Sequence, residues 1–125
     1  MNDHPKLDGL RLLLVEDHFP LGVNLADVAV ALGADVIGPV ATVADALRLI
    51  DQMPELGAAV LDVQLREETS YPVADALRAR AVPFLFATAQ ASSQLPDRFH
   101  DVPVCANPFG VPGFRAALGR LAAAA

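Results

Sequence analysis

A chain of 125 residues, 54% hydrophobic and 19% charged, is long enough for one domain with its own buried core and too apolar for a disordered segment. Its formal net charge of -6, without any basic run, argues against direct nucleic-acid binding. A lone cysteine, Cys105, excludes an internal disulfide and suits a reducing, cytoplasmic setting, while no apolar run nears the roughly 20 residues of a membrane helix.

Short apolar runs alternate with helical patterns along the chain. Leu10 to Val15, "LRLLLV", has the length and continuity of a buried parallel strand. Pro20 to Gly33 follows as a helix, with Leu21, Leu25, Val28, Ala29 and Leu32 on one face and Pro and Gly as its punctuation. Asp35 to Val40, "DVIGPV", is strand-like. Its Gly38 and Pro39 favour a sheet edge, because proline donates no ladder hydrogen bond.

Thr42 is the expected N-cap of a second helix over Val43 to Gln52, with Asp45 three residues on and an apolar face of Val43, Ala46, Leu47 and Ile50. "AAVLD", Ala58 to Asp62, is a third strand, and Tyr71-Pro72 opens a third helix running to about Arg80. "VPFLFAT", Val82 to Thr88, and "VPVCA", Val102 to Ala106, are the fourth and fifth strands. A short, weak helix is expected between Ala91 and Phe99, interrupted or started by Pro96. The last helix starts at Pro112, with Phe114, Leu118 and Leu121 turned inward.

Strands alternating with helices imply an α/β fold with a parallel sheet covered on both faces. Five strands suggest the flavodoxin-like order 2-1-3-4-5 in a single domain over 1–125, with its core at about 10–121.

In such a sheet, ligands bind beyond the carboxyl ends of the strands, near the switch point between strands 1 and 3. Strand 1 ends in Glu16 and Asp17, strand 3 in Asp62, strand 4 in Thr88 and strand 5 in Asn107. Each acid alone is unremarkable, since Asp after a strand is commonly a turn former or helix cap. Three acids at one edge are different. Their repulsion must be offset by raised pKa values or by a divalent cation, and magnesium favours carboxylates, water and a phosphate oxygen. The cluster with its hydroxyl reads as a magnesium-assisted phosphoryl-transfer site, with Asp62 on the central strand as nucleophile. His18 is expected to face solvent, and Cys105 to be an inert core thiol. Arg48, Asp51, Asp75 and Arg78 are expected on solvated helix faces.

"LLLVED", "AAVLDVQL", "FATA" and "NPF" stand in an order and spacing that resembles bacterial two-component response-regulator receiver domains, over about Leu10 to Leu121. "YPVADALRARAVPFLFATA" and "LPDRFHDVPVCANPF" are similar to a single-domain subgroup with Phe-Ala-Thr at the end of strand 4, here Phe86, Ala87 and Thr88. The resemblance implies that a histidine kinase or phosphotransfer protein phosphorylates Asp62. It implies magnesium on Glu16, Asp17, Asp62 and the Gln64 backbone carbonyl, with Thr88 bonding the phosphoryl group. Output through protein contacts at helix 4, strand 5 and helix 5, including Val104 and Arg115, is implied in the same way.

Two positions depart from the pattern. Asn107 replaces the family lysine, and Val104 replaces the aromatic switch residue three before it. One missing charge contact at about 4 Å is worth up to roughly 4 kcal/mol at an effective dielectric of 20. Asn107 is therefore expected to impair the coupling of phosphorylation to conformation more than metal binding. A cis Asn107-Pro108 bond is expected from the resemblance. The alternative reading is an interaction module that no longer depends on phosphorylation. A phosphatase with an aspartyl nucleophile is disfavoured, because Gln64 stands where a general acid would be needed.

Overall fold

The computed structural model describes residues 7–88, 94–106 and 111–124. The chain runs β1 (Arg11–Val15), α1 (Phe19–Ala31), β2 (Asp35–Val40), α2 (Val43–Gln52), β3 (Ala58–Leu61), β4 (Gln64–Leu65), β5 (Glu68–Thr69), α3 (Tyr71–Ala79), β6 (Phe84–Thr88), β7 (Val104–Ala106) and α4 (Val111–Ala124). Five parallel strands form the sheet in the order β2-β1-β3-β6-β7. This is the expected 2-1-3-4-5 order once the small β4–β5 pair is left out of the count. β2 lies at the edge, as its proline requires.

Alternation along β3 explains the two-sided core. Ala59 and Leu61 join Leu13, Val15, Phe84 and Phe86 beneath α2 and α3. Ala58 and Val60 join Leu12, Leu14, Leu85 and Cys105 beneath α1 and α4. The α1 face is as expected, with Leu25, Ala29 and Leu32 buried and Leu21 and Val28 packed against them. Phe114, Leu118 and Leu121 of α4 are buried. On α2 the expected face shifts slightly: Ala46 and Ile50 are buried, but Leu47 is exposed and Leu49 packs against the core instead.

Between β6 and β7 the sequence pattern suggests a short helix over Ala91 to Phe99. Ala91 to Ser93 lie outside the described residues; beyond them a 3-10 turn spans Asp97–Phe99, started by Pro96. Phe99 anchors that turn in the core, with its ring centroid 5.6 Å from Phe86 and 5.5 Å from Tyr71. Arg98 binds both carboxylate oxygens of Asp75 on α3, at 3.0 and 3.1 Å, and its guanidinium lies 4.4 Å from the Phe99 ring centroid. Arg78 donates to the Arg98 carbonyl and to Asp101. Asp75 and Arg78 are thus on the exposed helix face as expected, and each also holds the 3-10 turn.

The β4–β5 hairpin has no counterpart in the expected element order. Its strands are two residues long, too short for any periodicity to be visible.

Candidate functional site

The carboxyl ends of β1 and β3 meet at one edge of the sheet. The register pairs Val15 with Leu61, and the Asp62 N–H donates to the Val15 carbonyl at 2.9 Å. Glu16, Asp17 and Asp62 each offer an oxygen within 4.8 Å of the other two. Thr88 reaches the same edge from β6, two residues beyond the Leu61–Phe86 pair, and is buried.

Local backbone geometry sets Glu16 in place. Between Leu13 and Val15, β2 carries one residue more than β1, a bulge at Gly38-Pro39. Gly38 has φ +113, and a Cβ there would stand 2.5 Å from the Leu14 carbonyl oxygen. The bulge brings the Val40 carbonyl to the Glu16 N–H, at 2.9 Å. α1 closes over this corner at Gly22, where a Cβ would meet the Pro39 ring at 2.9 Å and the Glu16 side chain at 3.5 Å. Glu16 is left only 3% exposed.

Burial governs the charge of the cluster. Desolvation, reinforced by Asp62 and Asp17, raises the Glu16 pKa to about 8, against the opposing hydrogen bond from the His18 N–H. Asp62 is also pushed above the ordinary carboxylate range, first by desolvation. A hydrogen bond with Glu16 and the N–H groups of Gln64 and Val63 pull it back. A buried acid pair whose ionisation is disfavoured is what a divalent cation would relieve. All-oxygen donors at one solvent-reaching edge fit magnesium rather than a soft metal.

The expected residues Glu16, Asp17, Asp62 and Thr88 therefore share one edge. Gln64 opens β4 immediately beyond Asp62; its side-chain amide donates to the carbonyls of Arg66 at 2.7 Å and Glu68 at 3.1 Å. Asn107 and the Asn107-Pro108 bond lie outside the described residues. Val104 is half-buried on β7 and packs against the core under α2 and α3. Cys105 is buried, and desolvation raises its thiol pKa, in keeping with an inert core residue.

Two site features were not anticipated. His18 is exposed as expected, but its Nδ1 also caps α1 by accepting from the Leu21 N–H at 3.4 Å. Arg66, in the β4–β5 turn, places its Nε 3.8 Å from an Asp17 oxygen. The hairpin that carries it gave no sequence signal, although an arginine four residues after the central aspartate was visible.

A scan of protein-family models gives no match, and neither does a search of curated proteins. Solved structures do match. SdrG from Sphingomonas melonis Fr1 is 41% identical, with 90% of this chain and 95% of that one covered and a TM-score of 0.77. The BeF3-activated conformation of SdrG, from Pseudomonas melonis Fr1, is likewise 41% identical over 90% and 95%, with a TM-score of 0.76. The non-phosphorylated HemR receiver domain from Leptospira biflexa is 26% identical over 90% and 94%, with a TM-score of 0.73.

Proposed function

The chain belongs to the response-regulator receiver family of two-component signalling, and from that premise we propose that it is a phosphorylatable receiver with Asp62 as its acceptor. The observation that carries this reading is the convergence of Glu16, Asp17 and Asp62 at the sheet edge, with oxygens within 4.8 Å of one another. Support also comes from SdrG, which has a BeF3-activated conformation, BeF3 being a mimic of a phosphoryl group on a carboxylate.

Glu16, Asp17, Asp62 and the Gln64 carbonyl would hold magnesium, which when bound offsets the charge of the acids and of the incoming phosphoryl oxygens. The chain's own residues do the rest. A carboxylate oxygen of Asp62 forms the new O–P bond as the P–N bond to a donor histidine breaks. The bonding pair leaves with the imidazole nitrogen. The N–H groups of Val63 and Gln64 orient the Asp62 carboxylate and favour its ionised form against the desolvation that opposes it. Thr88, at the end of β6, donates its hydroxyl to a phosphoryl oxygen. Glu16 would hold the metal as a carboxylate, so binding would be coupled to loss of its proton.

A histidine kinase or phosphotransfer protein is the proposed donor. Output is proposed to pass through protein contacts on the face made by the Asp97–Phe99 turn, β7 and α4, with Val104 and Arg115 within it. Among the described residues no helix is long and apolar enough to cross a membrane. The proposed setting is cytoplasmic.

The test is intact mass after incubation with magnesium and acetyl phosphate, followed by cognate kinases. Gain of one phosphoryl group by the wild type, absent in Asp62→Ala and without magnesium, is the expected result. Absence of labelling by every donor would overturn the reading. Asn107 and Val104 favour the alternative, an interaction module independent of phosphorylation. In that case Asp62→Ala would bind the partner as the wild type does.

A further inference from the structure

We infer that Arg66 supplies the positive charge that the family's strand-5 lysine places on the transferring phosphoryl group; this rests on the phosphoacceptor reading above. The chain has a single lysine, Lys6, and position 107 is Asn, so the family lysine's charge is missing from its usual place. Among the described residues, Arg66 is the one basic side chain ion-paired with any of the three acids.

Its placement is built into the backbone. Arg66 sits in the β4–β5 turn with φ +56. The Gln64 amide braces that turn from within by bonding the carbonyls of Arg66 and Glu68. Glu68 braces it from outside, its carboxylate accepting the Val43 N–H at the start of α2 at 3.1 Å. Glu68's charge is thereby committed to a helix N-terminus, and Glu67 makes no ion pair among the described residues. The Arg66 guanidinium stands at the mouth of the acid cluster. It is 77% exposed and its Nε lies 3.8 Å from Asp17, a Coulombic contact longer than a hydrogen bond. Its N–H donors are left to meet an incoming anion, and a guanidinium grips phosphoryl oxygens with two parallel bonds.

The same charge has a second consequence. Beside Asp17 it opposes a divalent cation, so its removal strengthens magnesium binding while weakening the grip on the phosphoryl group. Loss of fold would weaken both.

The experiment follows labelling of full-length protein by acetyl phosphate, in which the Asp62 oxygen bonds phosphorus as the P–O bond breaks and acetate leaves with the electron pair. Magnesium affinity is measured in parallel by calorimetry. Arg66→Ala is expected to label about tenfold more slowly while binding magnesium several-fold more tightly. Arg66→Lys should recover most of the rate, and Asn107→Lys should rescue Arg66→Ala. Equal or faster labelling of Arg66→Ala, beside a wild type that labels, overturns the role of Arg66 alone. A wild type that binds magnesium but accepts no phosphoryl group from any donor overturns the acceptor reading, and the Arg66 inference with it.

Discussion

Glu16 and Asp62 bring carboxylate oxygens within 4.8 Å of each other across the carboxyl ends of β1 and β3, close enough for each to raise the cost of ionising the other. The Glu16 pKa, raised by burial to about 8 from 4.5, makes the folded state the stronger proton binder. Stability from this source is complete below the unfolded pKa and is lost as pH rises towards about 8. Metal-free protein in chelator should therefore melt at least about 5 °C lower at pH 8.5 than at pH 5.5. Magnesium should erase the difference, and Glu16→Gln should flatten it without metal. Circular-dichroism melts across that range check the sign; a melting temperature that climbs with pH in chelator would contradict it.

Gly38→Ala is expected to destabilise by about 2 kcal/mol or more, because the new Cβ combines a left-handed φ with a backbone clash. That clash is with the Leu14 carbonyl, directly before Val15 and Glu16. Urea titration gives the stability, and magnesium affinity should fall in the same variant because the bulge sets the Glu16 backbone.

The first turn of α2 is capped twice, by Thr42 Oγ1 on the Asp45 N–H and by Glu68 on the Val43 N–H. Thr42→Ala should cost about 1 kcal/mol. Glu68→Ala should cost a similar or smaller amount and, unlike Thr42→Ala, should also alter acetyl-phosphate labelling by loosening the turn that holds Arg66. Denaturation paired with labelling separates the two.

Phe99→Ala removes a fully buried ring and should cost about 3–5 kcal/mol, much of the stability of a domain this size. Phe19→Ala, at an exposed position on α1, should stay within about 0.5 kcal/mol. Chemical denaturation of both variants checks the contrast.

The elements of this fold were legible where periodicity was long or punctuation strong. β1 and β3 read as buried strands because both faces are covered, and α1 and α4 because their apolar residues recur at helical spacing. Thr42 announced α2 as a cap. Glu16, Asp17, Asp62 and Thr88 were legible because strand ends in a doubly wound sheet converge by topology, whatever their side chains. The two-residue strands of the hairpin were too short to carry a pattern. Leu47 was misplaced because neighbouring leucines on α2 compete for one face, and packing rather than spacing chose Leu49. The ion pair between Arg66 and Asp17 depends on a turn conformation that composition does not encode.

The grip of Asp75 on Arg98, and of Arg78 on the carbonyl behind it, ties α3 to the turn that leads into β7. Mechanically the two form a single handle. A protein that seizes the turn also holds α3, the helix that begins just past the Arg66 hairpin, and with it the segment that leaves the edge where Asp62 stands.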